Sequence, residues 1–327
     1  MRSLVLVTGG AGYIGSVVAD QLLARGRDVV VLDDLSTGHR EAVPAGATFV
    51  QAGIGDRVAV TALFARYPVG AIVHMAAFAL VAESVADPEK YRANNVAAAK
   101  VLLDEAVAAG VRRLVFSSSC TVYGYPSAVP IAEDAPVGPV SPYGETKLEF
   151  ERLLATYAVQ HRLSSVSLRY FNAAGATEQR GEDHDPESHL IPNLLGVALG
   201  KRPAADVFGT DYPTPDGTAV RDYIHVDDLA DAHVRALDIP PNGAVALNLG
   251  TGRGSSVRQV MDVARRVTGH PIPATDRPRR PGDPPELVAA AQRAAAVLGW
   301  RPRRSTLEEI VGSAWRWHQA HPRGYRT

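Results

Sequence analysis

Tyr143 and Lys147 stand four residues apart at the start of a helix-like stretch, a spacing that places both side chains on one helical face. A lysine ammonium beside a phenol stabilises the phenolate, and a cationic cofactor ring would add a second positive charge. The pair is therefore a candidate for proton abstraction, with Tyr143 as general base. Ser119, at the end of the apolar run Leu114-Val115-Phe116, could share a hydrogen bond with the same reacting hydroxyl. An isolated Tyr-Lys pair is ordinary helix surface, and an isolated serine is ordinary strand end. Their weight comes from a third feature that topology brings to the same place.

That feature is the turn Gly9-Gly10-Ala11-Gly12-Tyr13-Ile14-Gly15, which follows the apolar run Leu4-Val5-Leu6-Val7 and opens a helical pattern. Gly9 and Gly12 let the backbone turn tightly and approach a pyrophosphate, while Gly15 lets the helix pack closely on the sheet. The helix start at Tyr13 and Ile14 then faces the phosphates. A second apolar strand, Val29-Val30-Val31-Leu32, ends in Asp33-Asp34, where a carboxylate accepts from the adenosine ribose hydroxyls. The same carboxylate repels a ribose 2′-phosphate, so the expected cofactor is NAD rather than NADP.

The elements that must position these groups follow from periodicity. Strands are expected at about 3–8, 28–32, 47–50, 70–74, 112–117 and 165–169, alternating with helices at 13–25, 56–66, 88–109 and 144–162. This is an α/β chain with a doubly wound parallel sheet of Rossmann type, and its ligand crevice lies beyond the carboxyl ends of the strands. Gly9, Asp33, His74, Ser117 and Ser119 all fall there. Beyond Tyr170 the alternation loosens, with helices near 189–199, 227–237, 256–267 and 305–318 and an apolar strand at 245–249 that should return to the first sheet. The expected division is a cofactor domain at 1–172 plus about 222–252, and a smaller C-terminal substrate domain at 173–221 and 253–327.

Composition permits this and excludes other classes. The chain has 327 residues, 46% of them hydrophobic, enough to bury a large core. Lys and Arg number 34 against 35 for Asp and Glu, so the net charge of −1 gives no electrostatic case for nucleic acid or an anionic membrane. Cys120 is the single cysteine, which rules out an intrachain disulfide. With a strand expected from residue 3 and no apolar run near the roughly 20 residues of a membrane span, the expected setting is cytoplasmic.

With these features in view, the chain resembles the extended short-chain dehydrogenase/reductase family and, within it, the UDP-glucose (UDP-galactose) 4-epimerases. The resemblance spans essentially the whole chain. It is carried by Val7 to Ser16, Asn94-Asn95-Val96, Phe116 to Gly124, Ser141-Pro142-Tyr143-Gly144, Leu168 to Asn172, and Val220-Arg221-Asp222-Tyr223-Ile224-His225-Val226. It implies that Tyr143 removes the proton of the sugar 4-hydroxyl, with Ser119 sharing that hydrogen bond, while hydride passes to tightly held NAD. The keto sugar then turns over within the site and takes the hydride back on its other face. Lys147 would tune Tyr143 and reach the nicotinamide ribose, and Asn95, Ser117 and Tyr170 would stand beside the cofactor. Asn172, His189, Leu190, Arg221 and Arg280 would hold the nucleotide sugar, the arginines on its diphosphate. Asp283 would hold the uridine ribose, Phe208 would line the uracil pocket, and Leu287 would stand near C2 of the sugar. A homodimer is implied as well.

Three positions depart from the family pattern. Gly53 stands where an Asp usually touches the adenine, Ala79 where the best-known members carry a lysine, and His189 where an Asn commonly meets the diphosphate. The related sugar-nucleotide 4,6-dehydratases need an acid pair just after the fifth strand, where this chain has Cys120 and Thr121. UDP-xylose and UDP-glucuronate epimerases remain open, as does a catalytically silent NAD-binding regulator. The run Glu182-Asp183-His184-Asp185-Pro186-Glu187-Ser188-His189 concentrates metal-ligand types, but a polar loop entering the substrate helix accounts for it, and no metal is expected.

Overall fold

The computed structural model describes residues 4–240, 242–280 and 282–326. Seven strands form one parallel sheet in the spatial order Ala244–Leu249, Ser164–Tyr170, Arg113–Ser119, Val69–His74, Leu4–Thr8, Val29–Asp33, Thr48–Gln51. The central strands are continuous apolar runs because both faces are covered. Val29–Asp33 is buried at every position. On one face, helices Tyr13–Ala24 and Val226–Ala236 pack over Val5, Val7, Val31 and Leu247. On the other, helices Arg57–Arg66, Ala99–Ala108 and Pro142–His161 pack over Leu6, Val30, Ile72 and Leu114.

From the central strand Leu4–Thr8 the chain winds outward in both directions, so the crevice opens where that strand adjoins Val69–His74. The expected return of the late apolar strand is met in full register, Leu247 opposite Leu168 and Leu249 opposite Tyr170. A smaller sheet is built from Asn172–Ala174, Val220–His225, Gly254–Ser256 and Glu286–Leu287. Strand Ala205–Phe208 pairs with Ala274–Arg277. Helices Leu190–Ala198, Val257–Thr268 and Leu307–Ala320 close a separate core here around Leu194, Val260 and Ile310. Sheet membership thus changes after His225, the residue that joins Val220–His225 to helix Val226–Ala236.

The helix expected over 88–109 is divided. Pro88–Arg92 and Ala99–Ala108 are α-helical, and Ala93–Ala98 between them widens into a π-helical turn. Such a turn has no Gly or Pro signature, and it commonly marks a functional site. Among the described residues no helix is long and apolar enough to cross a membrane.

Candidate active site

A cleft of about 1160 Å³ runs along the carboxyl ends of the parallel strands and on between the two sheets. That is larger than a pocket for one drug-sized ligand. One end is lined by Gly9, Gly12, Tyr13, Ile14, Gly15, Asp33 and Asp34, and the middle by Ser117, Ser119, Tyr143 and Tyr170. The far end is lined by Asn172, His189, Leu190, Phe208, Arg221, Arg280, Asp283 and Leu287. Asn95 and Lys147 stand behind this wall, both buried.

At the first end, glycine is required by space. A Cβ on Gly15 would come within 2.1 Å of the Gly9 carbonyl oxygen, and Gly9 itself, at φ +70, abuts the Ala76 backbone nitrogen. Helix Tyr13–Ala24 starts at Gly12 without a side-chain cap, leaving first-turn N–H groups for an anion. Asp33 ties this turn to the sheet. Its Oδ2 accepts from the Ala11 backbone N–H at 2.9 Å and its Oδ1 from Leu35 at 2.8 Å, while burial raises its pKa. Asp34 is exposed and accepts from the Ser36 N–H. Near Gly53, Asp56 is engaged as the cap of helix Arg57–Arg66. The glycine cradle, the free helix start and the acidic strand end together fit a dinucleotide.

In the middle, Ser141 caps helix Pro142–His161 and Pro142 takes its first turn, so Tyr143 and Lys147 are set on a rigid helix start. The Tyr143 N–H also donates to Ser84 Oγ at 3.1 Å. Burial pushes the Tyr143 phenol up, the nearby Tyr170 adds to that, and hydrogen bonding to Ser119 acts the other way. Burial also lowers Lys147, to about 7, with Glu151 opposing. Its Nζ donates to the Ser117 carbonyl at 2.8 Å and lies 5.6 Å from the Tyr143 ring centre. The expected fall of the phenol towards working pH counted the positive nicotinamide together with Lys147, and the protein's groups do not supply it by themselves. The protein's own groups raise the phenol, because burial penalises the phenolate and also weakens the charge on the lysine.

Strand Arg113–Ser119 sorts its serines by side. Ser117 and Ser119 reach the cleft, and Ser117 Oγ is 2.5 Å from the Tyr170 hydroxyl. Ser118 instead donates to Glu151 Oε1 at 2.6 Å, and Glu151 is held by both nitrogens of a fork from Arg169. Arg169 continues to the Tyr123 hydroxyl, which donates to Asn248. Asn95 reaches the cleft only through its partners. Its amide accepts from the Phe78 N–H and donates to the Phe78 carbonyl and Thr146 Oγ1. Ser84, Thr146, Glu151 and Arg169 were missed by sequence reasoning, although the Ser141-Pro142 pair carried a cap signal and Glu151 lies one turn past Lys147.

At the far end, Arg221 and Asp283, expected on different parts of the substrate, are paired with each other. Arg221 also donates to the carbonyls of Val220 and Pro284. The Arg280 guanidinium lies 4.0 Å over the Phe208 ring, joining two separately expected residues into one stacked unit. His189 bonds the buried Glu182 carboxylate. Burial works against its charge, but Glu182 outweighs this and pushes the imidazole up to about 9. Asn172 pairs with Tyr223 in the smaller sheet. Leu287 is buried against a cluster that includes Cys120, Val122 and Phe171. Burial raises the Cys120 thiol to about 12, so it is a packing residue and not a nucleophile.

Known proteins share this arrangement. The NAD dependent epimerase/dehydratase family matches residues 5–250. A UDP-glucose 4-epimerase of Streptomyces lividans is 52% identical over 327 residues, covering 99% of each chain. The UDP-glucose 4-epimerase of Brucella ovis, solved with NAD, superposes with a TM-score of 0.93 at 47% identity, covering 96% of this chain and 97% of that one. That of Bifidobacterium longum, solved with NAD+ and UDP, gives 0.94 at 37% identity, covering 98% and 100%. With the cofactor cradle, the Tyr-Lys helix start and this full-length similarity together, the chain belongs to the NAD-dependent epimerase/dehydratase family and takes NAD as its cofactor.

Proposed function

We propose that this protein is a UDP-sugar 4-epimerase that interconverts UDP-glucose and UDP-galactose. The observation that carries the reading is the position of Tyr143 and Ser119 midway along one cleft, between a dinucleotide cradle and an end lined by Arg221, Arg280 and Phe208. NAD, held at Gly9, Gly12, Gly15 and Asp33, supplies a reversible hydride acceptor and a positively charged ring. Tyr143 takes the proton of the sugar 4-hydroxyl and Ser119 orients that hydroxyl. Since the protein's own groups raise the phenol, Tyr143 would come into range beside the positive charge of a bound nicotinamide. Lys147 holds the strand end at Ser117 and would reach the nicotinamide ribose. Arg221 and Arg280 bind the diphosphate, where forked donors match phosphate oxygens, and Phe208 stacks on the uracil.

Dehydration is disfavoured because the position after Ser119 holds Cys120, whose thiol stays protonated, followed by Thr121. Leu287 leaves more room near sugar C2 than a tyrosine would, which supports acceptance of UDP-N-acetylglucosamine as well. We read the working form as a cytoplasmic homodimer, which sedimentation velocity of the purified protein tests. The functional experiment is absorbance of the holoenzyme mixed with UDP-glucose, followed by product analysis. Transient reduced nicotinamide and UDP-galactose are expected in the native protein. In Tyr143→Phe, turnover should fall about a hundred- to ten-thousand-fold with NAD still bound. Absence of both signals in the native protein would mark a silent NAD-binding regulator.

A further inference from the structure

The polar run 182–189 does more in three dimensions than its spacing suggests. We propose that Glu182, His184, Glu187 and His189 form a site for a divalent ion of the zinc class, at the rim of the cleft. One ligand atom from each of the four lies within 4.8 Å of the others. His184 Nδ1 stands 3.1 Å from Glu182 Oε1 and 3.9 Å from Glu187 Oε2. His189 Nδ1 also contacts Glu182 Oε1, and lies 3.7 Å from Glu187 Oε1. Bonds of about 2.0–2.1 Å to a tetrahedral zinc ion require ligand atoms about 3.3 Å apart, a spacing these separations bracket.

Two features go beyond an ordinary ion-pair cluster. Both imidazoles turn Nδ1 towards a single oxygen of one carboxylate, and that carboxylate is 4% exposed. With protons alone, both rings, 5.6 Å apart between centres, must present Nδ1–H to one shared oxygen. Moreover the His184 Nδ1 atom is buried within a partly exposed ring, and at 3.1 Å from Glu182 Oε1 it lacks a well-aligned hydrogen bond. A central cation would take the lone pairs of both nitrogens in place of two Nδ1 protons. Two imidazoles with two carboxylates favour zinc over calcium or magnesium, which prefer all-oxygen shells.

The loop is also held in place from outside the ligand set. The Asp183 side chain accepts from the Tyr325 N–H at 2.9 Å, the Asp183 carbonyl lies 2.8 Å from His39 Nε2, and the Tyr13 ring meets His184 edge-on. The ligands are thus tethered to the glycine turn on one side and to the C-terminal helix region on the other. On the reading of His189 as a diphosphate contact, ion and sugar nucleotide meet at this one side chain.

The test measures the ion directly, so it stands or falls apart from the epimerase reading. The full chain, stripped with chelator and dialysed, is titrated with zinc chloride by calorimetry. One ion per chain is expected, with affinity lowered at least tenfold in Glu182→Gln and in His184→Asn but unchanged in Asp185→Asn. Cobalt(II) added to the native protein should give the intense visible absorption of a tetrahedral centre, a readout that needs no variant to fold. Substoichiometric binding, affinity unchanged in both ligand variants, or the weak spectrum of octahedral cobalt would each overturn the proposal.

Discussion

Arg221 and Asp283 form an ion pair on the cleft wall, with the guanidinium also donating to the Pro284 carbonyl at 2.8 Å. On the proposed role of Arg221, a substrate diphosphate must therefore draw it away from a carboxylate that already satisfies it. Replacing Arg221 by alanine removes a charge-assisted contact worth about 1.5–3 kcal/mol, so KM for UDP-glucose should rise about ten- to a hundredfold. Steady-state kinetics check this, and an unchanged KM would leave Arg221 as a purely structural partner of Asp283.

Lys147 carries a pH dependence that can be read in the cofactor-free protein. Its pKa is about 7 when folded and near 10.5 in an ordinary exposed lysine. Between these values the unfolded chain binds more protons, so its burial opposes folding fully below about 7 and not at all above about 10.5. Lys147→Met should therefore melt at a higher temperature than the native protein at pH 6–7. The advantage should fade as pH approaches 10.5. A difference in melting temperature that is flat with pH would refute this account.

In the working enzyme the same variant has a second signature. With the lysine gone, the phenol loses a neighbouring cation, and the rate of nicotinamide reduction should reach its midpoint at higher pH. A midpoint that stays in place would mean that Lys147 serves only the ribose and the Ser117 carbonyl.

Glu151 and Arg169 are about nine-tenths buried and bound through a two-pronged contact. Removing one partner strands the other charge, at a cost of about 3–5 kcal/mol. Glu151→Gln should lower the urea midpoint accordingly. A midpoint within error of the native value would show that water reaches Arg169.

Leu287→Tyr should reduce kcat/KM for UDP-N-acetylglucosamine far more than for UDP-glucose, since an added ring near sugar C2 clashes with the N-acetyl group first. The native protein should use both sugars. If it does not use the N-acetyl sugar, or if the variant keeps the native ratio, Leu287 is not the gate.

The parallel sheet, the glycine turn and the Tyr-Lys helix start were legible because each rests on a local rule. These rules are the buried apolar run, the cradle that admits no Cβ, and the capped helix. What escaped were relationships between distant residues. Nothing near Arg221 announces that Asp283 will satisfy it, and nothing near Arg280 that it will lie over Phe208. The π-helical turn at Ala93–Ala98 has no compositional mark, so the bracing of Phe78 by Asn95 could not be foreseen. The balance of effects on the Tyr143 phenol was hidden for a similar reason. Sequence displays the lysine four residues away but not the depth of burial that governs both groups.

Because side chains alternate along strand Arg113–Ser119, Ser117 and Ser119 serve the cleft while Ser118 anchors the strand to Glu151. Gaining or losing a single residue within this strand would exchange the two sets at a stroke, turning the Ser119 hydroxyl into the protein interior and the anchoring one into the cleft. The chemistry here is thus bound to the parity of the strand. Length changes that preserve it are confined to the loops beyond, and an engineered insertion before Ser117 should inactivate the protein even where it leaves the fold intact.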